Sequence, residues 1–144
     1  MPPAVEAALP HCDVVFHAGD VVTHHLLDHL ASFAPVIAVL GNNDIELRSG
    51  LPERVEVVLA GVHVALVHET GAAKGRAGRV RRWFPDADVV VFGHSHAPMN
   101  EWHDGQLLFN PGSAVERRRE PTCTYGLLDL VAGRVTRHEI VAVD

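Results

Sequence analysis

The sequence has few cysteines, no excess of positive charge and no long apolar segment. Its 144 residues include two cysteines, Cys12 and Cys123, and carry a formal net charge of −6. Two cysteines without CxxC spacing disfavour a disulfide framework and a structural zinc knuckle. The negative charge argues against non-specific binding to nucleic acid or to an anionic membrane, since both need a basic surface. No apolar run approaches the roughly 20 residues of a membrane helix.

What remains is an ordinary composition with one outlier. Hydrophobic residues make up 47% and charged residues 21% of the chain, which is typical of a globular protein. The N-terminus lacks the basic and apolar regions of a signal peptide, so we expect a cytoplasmic protein made of one domain over residues 1–144. The outlier is histidine, with 11 copies, and this abundance points to metal or proton chemistry.

Hydrophobic patterning predicts an α/β fold with mixed sheets. Helices are expected at residues 2–9, 23–33 and 72–84, and strands at residues 13–17, 36–40, 55–59, 62–67, 89–92, 125–130 and 135–143. Asp104-Gly105 predicts a further two-residue hairpin. The first half of the chain alternates helices with buried strands, whereas the second half is rich in hairpins. A helix with no strand before it is an unusual start for this pattern.

Four of the predicted strands are followed by side chains that can bind a metal. They are Asp20, Asn42, His68 and the pair His94 and His96. In open α/β sheets, ligands bind beyond the carboxyl ends of the strands, and neighbouring glycines allow close backbone approach there. Imidazole and oxygen ligands without thiolates suit Mn, Fe, Zn, Ni or Co better than Ca. The joint pattern favours a metal site.

Taken alone, each of these residues also has a structural explanation. Asp20 would serve equally well as a helix cap or turn former, and Asn42 as a turn residue. A single histidine at a strand end, such as His68, is more often a hydrogen-bonded structural residue. The two arginine clusters, at residues 76–82 and 117–119, are open to two interpretations as well. They are either solvated faces or the sign of a phosphate-bearing ligand nearby.

Five motifs occur in the order of a known family. They are HAGD at 17–20, GNND at 41–44, VHE at 67–69, GHSH at 93–96 and NPGS at 110–113. On these motifs the chain resembles the calcineurin-like metallophosphoesterases, and among them the small bacterial and archaeal phosphodiesterase branch. The resemblance implies a four-layer α/β/β/α sandwich with two mixed sheets and a dinuclear metal centre at the sheet edge. It also implies a hydrolase acting on a small phosphodiester or nucleotide-like substrate.

The matched motifs imply a role for each candidate residue. Asp20 would bridge both metals, while Asn42, His68 and His94 would complete one metal site and His96 would belong to the other. In family members with two ions, about 3.5–4 Å apart, a metal-bound hydroxide attacks phosphorus while the metals neutralise the phosphoryl oxygens. The expected metal is Mn²⁺, with Ni²⁺, Fe²⁺, Zn²⁺ and Co²⁺ as alternatives.

The start of the chain departs from the family pattern. Family members open with a strand carrying an Asp-x-His motif that supplies ligands to the second metal, and nothing here matches it. We therefore expect an N-terminally incomplete domain, from a start codon assigned too late or from a truncated gene, with one ion where the complete site holds two. Upstream in-frame codons for Asp-x-His would support the first explanation. A missing strand would also expose sheet edges, which favours poor folding or self-association into a homo-oligomer.

Asn43 is the second departure. Many relatives have a histidine at this catalytic position, where it protonates the leaving group, a contribution of roughly 10²–10⁴-fold. An amide has no titrating proton, so we expect a preference for diesters with good leaving groups. Two alternatives stay open. One is a phosphomonoesterase with the same metal chemistry, and the other is a catalytically impaired pseudoenzyme acting as a protein-interaction scaffold, as the retromer scaffold subunit of this fold does.

Overall fold

The computed structural model describes residues 1–20, 24–42 and 50–143. The helices in these ranges are α1 Pro3–Ala8, which a 3-10 turn at Leu9–His11 extends, α2 His24–Ala31 and α3 Arg76–Trp83. The strands are β1 Val15–His17, β2 Val36–Ala38, β3 Arg54–Leu59, β4 Val62–Val67, β5 Val89–Val91, β6 Met99–His103, β7 Gln106–Asn110, β8 Thr124–Val131 and β9 Arg134–Ala142. None of the helices in these ranges is long and apolar enough to cross a membrane.

The prediction for α3 was wrong at its first turn. The helix starts at Arg76 rather than at residue 72, because Gly75 takes a left-handed φ of 74° at the N-cap. The guanidinium of Arg79 holds the preceding loop by donating hydrogen bonds to the carbonyl oxygens of Thr70, at 2.6 Å, and Ala72, at 2.5 Å. Within residues 72–75, the carbonyl oxygens of Ala73 and Gly75 accept the backbone amides of Arg76 and Arg79.

A mixed five-stranded sheet forms the centre of the molecule, with the order β3-β4-β5-β7-β6. Strands β4, β5 and β7 run parallel, and β3 and β6 pair antiparallel at the two edges. The three parallel strands are buried almost throughout, which explains their continuous apolar sequences. The predicted hairpin between β6 and β7 is confirmed, because Asp104 and Gly105 have φ values of 48° and 80°, the pattern of a type I′ turn.

The central sheet is covered on one face by a helix and on the other by more strands. Val80 of α3 and Phe84, directly after it, belong to the same buried cluster as Val90 of β5, Phe92, directly after β5, and Leu108 of β7. On the opposite face, a second cluster joins the sheet to partly buried residues of β1, β2, β8 and β9, which include Phe16, Ile37, Leu128 and Ile140.

The strands on that second face are themselves covered by α2. Leu26 and Leu27 of α2 pack with Ala38 of β2. The layers therefore follow the order helix, sheet, strands and helix, which confirms the predicted α/β/β/α arrangement. The second layer of strands contains a parallel pair, β1-β2, and an antiparallel pair, β8-β9.

Candidate metal centre

The parallel strands of both layers end at one edge, where the candidate ligands follow them. His17 of β1 lies opposite Ala38 of β2, and Leu66 of β4 lies opposite Val91 of β5. The segments that follow these strands therefore leave the sheets side by side. A hydrogen bond from His68 to the carbonyl oxygen of Ala18, at 2.7 Å, joins the edges of the two layers.

His68 is the centre of this arrangement. Its side chain is buried, with 6% of the residue exposed. A carbonyl oxygen can only accept, so Nδ1 of His68 carries the proton that is donated to Ala18. The other nitrogen, Nε2, lies 3.4 Å from Oδ2 of Asp20 and 3.3 Å from Nδ1 of His94. Three predicted site residues thus meet around a single imidazole nitrogen.

His94 connects this cluster to the surface. Its ring stands nearly perpendicular to that of His68, at an interplanar angle of 84°. Its Nδ1 lies 3.3 Å from Nε2 of His68. Nε2 of His94 lies 3.8 Å from Oε1 of the exposed Glu69.

These separations fit residues that share a metal ion. Two ligand atoms on one tetrahedral ion, at bonds of about 2.0–2.1 Å, lie roughly 3.3–3.4 Å apart. The Asp20–His68 and His68–His94 pairs match that spacing. Metal-binding histidines usually donate their other ring N–H to a carbonyl or carboxylate oxygen, and the Ala18 carbonyl orients His68 in this way. The fit is pairwise, because within residues 1–20, 24–42 and 50–143 no group of three or more His, Cys, Asp and Glu side chains is arranged to hold an ion.

Two further predicted site residues, His96 and Asn42, do not join the contacts around His68. His96 donates from Nδ1 to the carbonyl oxygen of Glu116 at 2.8 Å, which directs it toward the loop after β7. Asn42 is exposed directly after Gly41, and a Cβ on Gly41 would collide with the amide and carboxylate of Asp20. Asn43 lies outside the described residues. The roles assigned to these residues from the family motifs stay predictions.

Asn110 supports the site in a way that the motif search did not predict. This residue is completely buried at the end of β7. Its amide nitrogen donates to the carbonyl oxygen of Gly93 at 3.2 Å and to Oγ of Ser95 at 3.3 Å, and its Oδ1 accepts the amide of Gly112 at 2.9 Å. In the sequence, the NPGS motif indicates only the family resemblance. A polar residue at the end of an apolar strand was the available signal for this role.

Three of the candidate ligands have a strained backbone conformation. Asp20, His94 and His96 have φ values of 57°, 69° and 61°, a left-handed conformation that non-glycine residues rarely adopt. Such residues cluster at functional sites, where the surrounding structure holds them in place at a cost of about 1–3 kcal/mol each. Asp and His tolerate this region better than most residues, but that tolerance alone could not have predicted the conformation.

Comparison with known sequences identifies the family. A family model described as a calcineurin-like phosphoesterase superfamily domain matches residues 1–133. A probable metallophosphoesterase of Methanothermobacter thermautotrophicus is 30% identical over 125 residues, which cover 85% of this chain and 73% of the relative. A probable metallophosphoesterase of Methanocaldococcus jannaschii is 30% identical over 121 residues, which cover 82% of this chain but only 62% of that relative.

Solved structures share the fold. Vps29 of Chaetomium thermophilum matches with a TM-score of 0.80 and 19% identity, over 97% of this chain and 87% of that one. A novel archaeal phosphodiesterase matches with a TM-score of 0.71 and 21% identity, over 96% of this chain and 92% of that one. At these identities the likeness shows the fold alone, whereas the match to the family model supports a metal-dependent phosphoesterase. The chain belongs to the calcineurin-like phosphoesterase superfamily.

Proposed function

We propose that the chain hydrolyses phosphodiesters with divalent ions held by Asp20, Asn42, His68, His94 and His96, in a centre that holds two ions when complete. The observation that supports this proposal most is the contact between His68 and Asp20. With Nδ1 protonated, Nε2 of His68 is a hydrogen-bond acceptor, and it faces a carboxylate oxygen at 3.4 Å. That separation suits two ligand atoms bound to one divalent ion.

The residues present suit a transition metal. The proposed donors are one carboxylate, one amide and three imidazoles, a set that favours Mn²⁺, with Ni²⁺, Fe²⁺, Zn²⁺ and Co²⁺ as alternatives. Vps29 of Entamoeba histolytica, which shares the fold, has been solved with Zn²⁺, so zinc belongs in the same test. A bound divalent ion would neutralise charge on the phosphoryl oxygens and supply activated water near neutral pH.

The protein's own groups would orient the ligands and receive the substrate. The Ala18 carbonyl fixes the His68 tautomer, so that Nε2 carries the free lone pair. His94 lies at the surface of the cluster, where a phosphate can approach it. Asn43 offers no titrating proton to a leaving group, which favours diesters whose leaving group departs as a stable anion. A small nucleotide-like diester in the cytoplasm is the substrate and location that we propose.

The first experiment is hydrolysis of bis-p-nitrophenyl phosphate by the purified chain, with Mn²⁺ and then with a chelator. We expect turnover that the chelator abolishes and that His94→Ala reduces by at least about 100-fold, as loss of a metal ligand does. His63→Ala is the matched control, because His63 is an exposed histidine on β4 but lies at the opposite end of the strand from His68. Chelator-resistant turnover, or equal losses in both variants, would reject the proposed centre.

The same assay separates diester from monoester hydrolysis. We expect p-nitrophenyl phosphate to be hydrolysed more slowly than the diester, and the opposite order would favour a phosphomonoesterase. The likeness to Vps29, with a TM-score of 0.80, keeps a protein-interaction scaffold as the second candidate. A folded chain without turnover on either ester, with any of the five metals, would favour the scaffold.

A further inference from the structure

We infer that Arg118 and Arg119 form an anion subsite beside the proposed metal centre, and that the substrate carries a second phosphate group that binds there. This inference rests on the proposed function, because it names the class of diester that the same site would accept. It starts from a cleft of about 500 Å³ lined by His94, Ser95, Ala97, Arg118, Arg119 and Glu120. That volume lies within the roughly 300–1,000 Å³ typical of ligand sites.

Arg118 and Arg119 lie in the loop between β7 and β8. This loop is fixed to the segment that carries His94 and His96. Arg118 donates from Nη1 to the carbonyl oxygen of His94 at 3.1 Å, and the carbonyl oxygen of Glu116 accepts from His96 at 2.8 Å. Arg118 also has a left-handed φ of 51°, a conformation that a long side chain adopts only where its surroundings impose it. The position of Arg118 relative to His94 is therefore defined by the fold, and Arg119 follows it in the chain.

Contacts within the loop hold its remaining turn. Oγ of Ser113 accepts the amides of Val115, at 3.4 Å, and Glu116, at 3.1 Å. Arg117 donates from Nη1 to the carbonyl oxygen of Glu120 at 2.7 Å, and the Glu120 amide returns a bond to the Arg117 carbonyl at 3.0 Å. Arg117 thus forms hydrogen bonds within the loop, whereas Arg118 and Arg119 line the cleft.

The charge of the cleft suits a phosphate. Two guanidinium groups outnumber the single carboxylate of Glu120 among its lining residues. One Nη1–H of Arg118 is used by His94, which leaves further donors on that group in addition to those of Arg119. Guanidinium groups bind phosphate through paired hydrogen bonds, and both arginines are always charged at neutral pH.

A substrate reaching from His94 into this cleft would place its scissile diester at the metal centre and a second phosphate on the arginines. Nucleotides phosphorylated at two positions of the sugar have this form. Simple diesters such as bis-p-nitrophenyl phosphate lack the second anion and would use the metal centre alone. Comparing substrates with and without the second phosphate therefore separates binding at the subsite from hydrolysis at the metal centre.

The test compares two chromogenic substrates that differ by one phosphate. They are the p-nitrophenyl ester of thymidine 5′-phosphate and the same compound with a 3′-phosphate. We expect kcat/KM with Mn²⁺ to be about tenfold higher for the 3′-phosphorylated substrate, mainly through a lower KM. In Arg119→Gln this ratio should fall close to one, because the 3′-phosphate loses one of its two guanidinium partners.

Arg134→Gln is the matched control. It removes the same charge from an exposed residue next to Gly133, which contacts Ala60 at the opposite end of β4 from His68. The substrate ratio should stay at the wild-type value in this variant. An equal fall in both variants would mean that the arginines act only through net charge and would overturn the subsite.

The outcomes distinguish the subsite from the proposed function. Hydrolysis of both substrates at equal kcat/KM would overturn the subsite and leave the phosphodiesterase intact. If neither substrate is hydrolysed, calorimetric titration with thymidine 3′,5′-bisphosphate and thymidine 5′-phosphate decides. Tighter binding of the bisphosphate that Arg119→Gln abolishes would support the subsite without the activity, and equal binding of the two nucleotides would overturn it.

Discussion

The close approach of Gly19 to His68 provides a sharp test of how the centre is built. Gly19 has a φ of 104°, and a Cβ at this position would lie 2.5 Å from Nδ1 and 2.8 Å from Cγ of His68. His68 cannot retreat without losing its 2.7 Å hydrogen bond to Ala18. The substitution Gly19→Ala is therefore expected to move either the imidazole or the backbone that leads to Asp20.

Two costs add in this variant. A Cβ in the left-handed region strains the backbone by roughly 1–2 kcal/mol, and overpacking a buried contact costs roughly 1–3 kcal/mol. Gly105→Ala is the control, because Gly105 has a φ of 80° but nothing lies within 4 Å of its added Cβ. It should incur only the first cost. The difference between the two variants, roughly 1–3 kcal/mol, isolates the contact with His68.

Urea unfolding measures the two free energies, and hydrolysis of bis-p-nitrophenyl phosphate with Mn²⁺ measures the consequence for the site. We expect Gly105→Ala to keep wild-type turnover and Gly19→Ala to lose at least about tenfold, because a displaced ligand weakens metal binding. Equal destabilisation and equal turnover in the two variants would show that the approach of Gly19 to His68 does not shape the centre.

Three further predictions follow from other parts of the fold. Asn110→Leu should lower the free energy of unfolding by about 2–4 kcal/mol, since it removes a buried amide and leaves the half-buried carbonyl of Gly93 and amide of Gly112 unpaired; urea unfolding measures this, and a loss under about 0.5 kcal/mol would contradict it. Burial, with help from Asp13 and Asp129, raises the pKa of the Cys12 thiol above its ordinary 9.0. The folded state then holds the thiol proton more tightly than the unfolded chain, so stability should fall as the pH rises above about 9, and less steeply in Cys12→Ala. Mn²⁺ at about 100 times its Kd should add about 2.7 kcal/mol to the free energy of unfolding, and His68→Gln should remove this gain.

The elements of the fold were predictable where local pattern decides them. The run of valines in β5 suits only a strand buried on both faces, and Asp104-Gly105 suits a type I′ turn, so both were predicted. The start of α3 was missed because the apolar pattern shows neither the left-handed φ of Gly75 nor the hydrogen bonds from Arg79 to the carbonyl oxygens of Thr70 and Ala72. The family motifs named the candidate ligands. Their arrangement around His68 depends on a hydrogen bond to Ala18, 50 residues away in the sequence, which no local pattern encodes.

The end of β7 and the loop after it hold the candidate ligands His94 and His96 in place, a role that the NPGS motif did not indicate. Asn110 holds Gly93 and Ser95, Arg118 holds the carbonyl of His94, and the carbonyl of Glu116 receives His96. Both histidines of the GHSH motif have left-handed backbones, so their directions are imposed by these contacts rather than by local preference. Substitution of Arg118, an exposed residue, should therefore alter metal affinity before it alters stability. This dependence also explains why the arginines lie where they do: the loop that orients His94 and His96 brings Arg118 and Arg119 to the edge of the same cleft.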